Sequence, residues 1–398
     1  MAHIAIDARI INSSTGTYVE RLLHYLQQID TTNTYTVLIP SKDSSTGTYV
    51  ERLLHYLQQI DTTNTYTVLI PSKDLSFWQP TKSNFTVKAA DFKNYSLAEQ
   101  TGFAKLLSSI HADLVHFCMP QQPLLYQGKT VTTFHDLSLL RVYNSDKNWL
   151  VYHAKQLVGK FVFRQVAKQT SHLIVPTDFV KEDIITSFGA SPKKITRTYE
   201  AADISVSNAK PYKHPFKQFI LYVGQQSDYK NIRRLGEAHQ QLLEEDPDLG
   251  LILVGRLNKS ALSNKEYFDK NGYRNIHFTD FIPNEQRDWL YQQASAYVFP
   301  SLTEGFGLPG LEAMGYGAPV VSSNATCLPE VYGDAAHYFD PLSVQDMARA
   351  INDVISDEHL QKELQRKGYK QLKKYSWERM AQQTFEVYQK ALTSSSER

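Results

Sequence analysis

The sequence predicts an α/β protein built as two doubly wound domains, and three observations carry that expectation. Short apolar runs alternate with helically spaced apolar residues along most of the chain, the pattern of parallel strands joined by crossover helices. The chain has 398 residues, beyond the roughly 250–300 at which single cores stop growing. Residues 205–218, which include Lys210-Pro211-Tyr212-Lys213-His214-Pro215, break the alternation with two prolines among polar residues and read as a linker. The expected domains are therefore 1–205 and 206–375, with 376–398 forming a last helix that crosses back to the first domain. Ser376 is a good N-cap for that helix, which should run to about Leu392.

In the first domain the strands fall at 3–7, at 35–39 or 66–70, and at 85–88, 114–117, 130–134 and 172–175. In the second they fall at 219–223, 251–254, 276–278, 297–299 and 319–322. The choice between 35–39 and 66–70 arises from a repeat. Residues 13–43 and 44–74 are identical letter for letter. Within a copy, Val19, Leu22, Leu23, Leu26 and Ile29 recur at helical spacing, and residues 34–39 then read as a strand closed by Pro40. Two copies are too few for a solenoid, so the repeat reads as a tandem duplication of one helix-plus-strand unit. One unit is enough to pass from the first strand to the next, so one copy is expected to be surplus to the sheet. The junction Asn12–Ser13 favours the first copy and Asp74–Leu75 the second.

Composition removes several function classes. Lys+Arg is 42 and Asp+Glu is 41, a net charge of +1, which argues against a nucleic-acid binder working by bulk charge. The two cysteines, Cys118 and Cys327, make neither a disulfide framework nor a zinc site and fit a reducing compartment. There is no run of about 18 apolar residues, and the N-terminus lacks the basic flank and apolar stretch of a secretion signal. The expectation is a cytoplasmic protein. His111, His116, His153, His172 and His337 show no metal-ligand spacing, so neither a metal nor another cofactor is expected.

The strongest chemical signal is Glu304-Gly305-Phe306-Gly307-Leu308-Pro309-Gly310-Leu311-Glu312, directly after an apolar strand. The glycines allow a ligand close to the backbone, and Leu308-Pro309 opens a helix whose N-terminal N–H groups and dipole suit an anion. Glu304 on the loop can hold sugar hydroxyls, and Glu312 within the helix can take a ribose diol. The same pattern also fits a tight strand-to-helix turn with two ordinary glutamates. Lys230, six residues beyond Gly224, is a point charge able to reach a diphosphate.

These segments together resemble the retaining glycosyltransferases of family 4, which have the GT-B fold of two Rossmann-like domains and an interdomain cleft. The 304–312 segment resembles their signature of two glutamates separated by seven residues. Gly224 with Lys230-Asn231 is similar to the family's strand, glycine and Lys-Asn pair. Thr132-Thr133-Phe134-His135-Asp136 resembles its first-domain strand ending in His-Asp, and Leu328-Pro329-Glu330-Val331 the segment after the signature. The resemblance implies a metal-independent hexosyltransferase that uses a nucleoside diphosphate sugar and a glycan or lipid-linked acceptor, with no nucleic acid involved. It implies that Lys230 neutralises the leaving diphosphate and that His135 faces the donor sugar. Gly224, Gly305, Phe306, Gly307, Leu308 and Glu312 would surround the donor. The Leu308-Pro309 version of the signature favours GDP-mannose.

The chain departs from the family pattern at two places. Gln225 stands where an arginine is common. The first loop, carrying Gly16 and its duplicate Gly47, has serines in place of a glycine doublet. Residues 147–170 contain no acidic residue and place Lys160, Arg164 and Lys168 on one helical stripe. That stripe fits either a solvated face or peripheral contact with the inner face of a membrane. Two rival functions share the fold: a sugar-nucleotide epimerase needing no acceptor, and a catalytically inactive nucleotide-sugar-binding scaffold.

Overall fold

The computed structural model describes residues 3–7, 34–38, 66–70, 83, 85–92, 96–117, 120–141, 149–202, 204 and 209–393. The chain divides into two compact units. One comprises residues 1–140, 148–200 and 376–398, and the other 141–147 and 201–375.

The first unit contains β1 (His3–Asp7), β2 (Thr34–Leu38), β3 (Tyr66–Ile70), β4 (Phe85–Ala89), β5 (Leu114–Phe117), β6 (Thr130–Thr133), β7 (His172–Val175) and β8 (Ile195–Arg197). They form one sheet in the order β4-β3-β2-β1-β5-β6-β7-β8, every pairing parallel. The second unit contains β9 (Phe219–Val223), β10 (Gly250–Val254), β11 (Ile276–Phe278), β12 (Ala296–Phe299), β13 (Val320–Ser323) and β14 (Ala336–Phe339), in the order β11-β10-β9-β12-β13-β14, again parallel. The expected strands form with ends shifted by at most one residue. β8 and β14 were not expected from the pattern.

The expectation that one copy of the repeat is surplus is overturned. Both copies supply a strand, and β2 and β3 lie side by side with each residue opposite its own duplicate: Tyr35 against Tyr66, Thr36 against Thr67, Val37 against Val68 and Leu38 against Leu69. β2 pairs with β1 and β3 with β4. An open parallel sheet has no fixed number of places, because each further helix-plus-strand unit only has to pair with the strand before it. The helical part of each copy lies outside the described residues.

Strands buried on both faces need continuous apolar runs. Leu114, Val115, His116 and Phe117 are all buried, as are the residues of β10 and β12. Helix ends follow local capping chemistry. The Thr177 hydroxyl accepts the Val180 N–H at 3.2 Å, and Gly189 ends that helix at φ 67°. The last helix, Trp377–Thr393, starts where the Ser376 hydroxyl accepts the Arg379 N–H at 3.3 Å. It packs on the first unit's sheet. Tyr388 OH lies 2.6 Å from His116 Nδ1, whose Nε2 is 2.8 Å from the Thr133 hydroxyl, and Lys129 Nζ donates to the Leu392 carbonyl at 2.7 Å. Burial, with the neighbouring His135 adding to it, pushes the His116 pKa down to about 3, so this bridge is made by a neutral imidazole.

Candidate active site

The signature segment leaves β12 through Pro300. Gly307 takes φ 94° and begins the helix Leu308–Gly315, which has proline in its first turn and no side chain capping its start. That φ favours glycine, and a Cβ at 307 would lie 2.5 Å from Tyr332 OH. The same hydroxyl donates to the Gly307 carbonyl at 2.6 Å. Burial first, then the Glu304 charge, raises the Tyr332 pKa well above its ordinary value, so the phenol stays a donor. No local pattern singles out Tyr332, which stands 25 residues from the Gly307 carbonyl it holds.

Lys230 ends the short 3-10 turn Asp228–Lys230, and the helix that follows is Ile232–Leu242. The residue between them, Asn231, adopts φ 62°, a left-handed conformation that asparagine tolerates. Its amide donates to the carbonyls of Pro300 at 3.1 Å and Pro341 at 2.8 Å. Leu302 N–H adds a bond to the Tyr229 carbonyl at 2.8 Å. The turn carrying Lys230 is therefore sewn to the loop carrying Glu304.

The consequence is a direct ion pair. Lys230 Nζ donates to Glu304 Oε1 at 2.5 Å, and each side chain is 13% exposed. Burial disfavours the charged amine, but Glu304, with Tyr222 and Tyr229 behind it, outweighs burial and lifts the Lys230 pKa above its ordinary value. The two residues stand 74 positions apart. Each half of the pair can serve a different part of a charged, hydroxylated ligand, and until then each offsets the other's desolvation.

Glu312 takes other partners. Tyr291 OH lies 3.4 Å from its Oε2, and the Glu312 charge helps hold the Arg287 pKa above its ordinary value against burial. Arg287 itself pairs with Asp288 at 2.7 Å. Of the nearby cations, Arg233 donates to Asn264 at 3.2 Å and Ser263 at 3.0 Å, and Arg234 to Asn231 at 3.0 Å. Gln225, where an arginine is common, offers its carbonyl to Tyr222 OH at 2.5 Å. In the first unit His135 Nδ1 lies 3.0 Å from Glu200 Oε1, a buried partner 65 residues away that sequence reading missed. Gly16 and Gly47 lie outside the described residues. His172 contacts Thr196 at 2.8 Å and His337 contacts Asp353 at 3.0 Å. Among the described residues, no three or more His, Cys, Asp or Glu gather as a metal site.

The family model "Glycosyl transferases group 1" matches residues 203–371, and "Glycosyltransferase Family 4" matches residues 46–206, starting within the second copy of the repeat. The chain is 31% identical over 276 residues to O-antigen chain mannosyltransferase B of Escherichia coli, covering 65% of this chain and 70% of that protein. It is 30% identical over 286 residues to the serotype-specific mannosyltransferase WbdA of Escherichia coli, spanning 68% of this chain and 34% of that longer protein. Sucrose-phosphate synthase from Thermosynechococcus elongatus shares the fold at TM-score 0.69 and 16% identity, over 99% of this chain and 100% of that one. Anabaena HepE in complex with UDP-glucose shares it at TM-score 0.69 and 15% identity, over 98% and 100%. With both units matched by glycosyltransferase models and two parallel Rossmann-like sheets, the chain belongs to the group 1, family 4-like glycosyltransferases of GT-B fold.

Proposed function

We propose that the enzyme moves mannose from GDP-mannose to a glycan or lipid-linked acceptor, with retention of anomeric configuration and without a metal ion. The observation that carries this reading is the Lys230–Glu304 pair, with Glu304 on the loop that runs into the helix starting after Gly307 without a side-chain cap. The anomeric C–O bond breaks with its electron pair going to the diphosphate. Lys230 and the N-terminal end of the helix offset that growing negative charge in place of a metal ion. Glu304, released from Lys230 as the diphosphate takes the ammonium, accepts from sugar hydroxyls. Glu312 accepts from the ribose diol. The acceptor hydroxyl attacks the face the diphosphate leaves, and its proton passes to a donor phosphate oxygen. Mannose is favoured because the relatives at 30–31% identity are named mannosyltransferases.

A thermal-shift screen of GDP-, UDP- and dTDP-sugars tests the donor. A ligand at about 100 times its Kd adds about 2.7 kcal/mol to stability. Preference for a UDP-sugar would replace GDP-mannose. Turnover surviving a chelator, and NMR of the new glycosidic bond, test the metal and stereochemical parts.

The helix Trp149–Gln169 supports a second element of this reading, peripheral contact with an anionic bilayer. It contains no acidic residue, and Leu157, Val158 and Phe161 are exposed beside exposed Lys160, Arg164 and Lys168. Co-sedimentation with phosphatidylglycerol vesicles but not phosphatidylcholine vesicles is the expected result.

A further inference from the structure

Among the described residues, five other than glycine have positive φ: His111, Asn231, Asn275, Asp280 and Thr326. Four are of the types that tolerate the left-handed region. Thr326, at φ 54°, is the exception. A β-branched side chain there is a true outlier, and outliers of this kind persist where surrounding structure over-determines them. Thr326 is only half-buried, so core packing does not account for it.

What the conformation achieves is visible at Glu304. Thr326 Oγ1 accepts the Glu304 N–H at 3.1 Å, and the next residue, Cys327, donates its thiol to the Glu304 carbonyl at 3.3 Å. The main chain of Glu304 is thus gripped on both sides by one turn, while its carboxylate is held by Lys230. That turn follows β13 and is itself anchored, because the Ser323 hydroxyl donates to the Ser301 carbonyl at 2.7 Å. Glycine would relieve the backbone but supply no acceptor. Valine would keep the shape without the acceptor, and serine would keep the acceptor without the branch.

We propose that Thr326 is a positioning residue whose hydroxyl fixes the Glu304 backbone, so that the carboxylate meets the donor sugar in one orientation. This rests on the reading of Glu304 as a donor-sugar ligand. Local backbone energy is spent to hold a loop that carries chemistry, so activity and stability should respond in opposite directions to one substitution.

The test compares Thr326→Gly, Thr326→Val and Thr326→Ser with Glu304→Gln in the full chain. Exchange of the Glu304 amide hydrogen and release of nucleotide from the donor selected in the thermal-shift screen are read, together with a melting curve. Glycine and valine should speed Glu304 amide exchange at least tenfold and lower kcat at least tenfold, with donor KM changing less. The glycine variant should melt at or above the wild-type temperature. Serine should stay within about twofold of wild type on both readouts. The double variant Thr326→Gly/Glu304→Gln should be no slower than Glu304→Gln alone. Unchanged amide exchange, or wild-type kcat in glycine and valine while Glu304→Gln is impaired, overturns the positioning role and leaves the Glu304 reading intact. Wild-type kcat in Glu304→Gln overturns both.

Discussion

Between β2 and β4 the first sheet carries an additional strand that duplicates its neighbour, and the pairings of β5 to β8 continue undisturbed. The second sheet has the same parallel construction but no comparable slack around β9 and β12. There Asn231 bonds Pro300 and Pro341, Leu302 bonds Tyr229, Tyr332 bonds Gly307, Thr326 bonds Glu304, and Lys230 pairs with Glu304. A unit inserted into either connection would pull several of these apart together. The comparison teaches that strand count is a soft property of an open parallel sheet. The hard property is the mutual placement of loops at the carboxyl ends of a few strands.

The largest effect is expected in the sewn region. Lys230→Ala should lower kcat about 10³-fold, roughly 4 kcal/mol of lost leaving-group stabilisation. It should also cost stability, about 1–3 kcal/mol, because Glu304 keeps a largely covered charge without its partner. Steady-state kinetics with a melting curve reads both, and wild-type kcat would remove Lys230 from the chemistry.

Gly307→Ala should cost about 1–3 kcal/mol, since alanine must adopt φ 94° while its Cβ meets Tyr332 OH. Denaturant unfolding measures it. A neutral result would show that the signature loop has the slack denied to it above.

Acid should act on the two units over different windows. His116 has a folded pKa of about 3 and His239 of about 4, both lowered chiefly by burial. Below pH 6.5 the unfolded chain takes up protons that these groups refuse. Stability therefore falls by up to about 1.4 kcal/mol per pH unit for each histidine. The loss continues to about pH 4 for His239 and to about pH 3 for His116. Hydrogen exchange against pH, followed separately in β6 and β10, should show the wider window in the first unit. Identical acid limbs would contradict this.

The smallest effect is expected from deleting residues 44–74. β2 would then offer β4 the same residues that β3 offers now, and the first sheet would close to seven strands without a register shift. Nucleotide-sugar affinity should change by less than about twofold, well under 1 kcal/mol. An insoluble product, or loss of nucleotide-sugar binding, would show that the additional strand is integral.

Much of this was legible in the residues. Interior strands announce themselves because both faces are covered, as in Phe219–Val223 and Gly250–Val254. β8 and β14 escaped because polar residues break their short apolar runs. Ile195-Thr196-Arg197 has one buried residue, and His337 and Tyr338 are half-exposed. The signature glutamates, Gly307 and Lys230 could be singled out from local spacing. Their partnerships could not, since the Lys230 pair and the His135–Glu200 contact depend on crossovers tens of residues long. Thr326 was invisible for a different reason. Its residue type argues against the conformation it adopts.

The ladder of β2 on β3 has one more consequence. Identical segments stacked parallel and in register, Tyr on Tyr and Val on Val, are the arrangement found in cross-β fibrils. This protein contains two rungs of such a stack, stopped on one side by β1 and on the other by β4, neither of which repeats the motif. The segment Tyr66–Ile70 has no charge and no proline, and its twin lies beside it. Whatever detaches Phe85–Ala89 uncovers an edge already templated by a second copy. The strand β4 is therefore a terminator of growth as well as a member of the sheet.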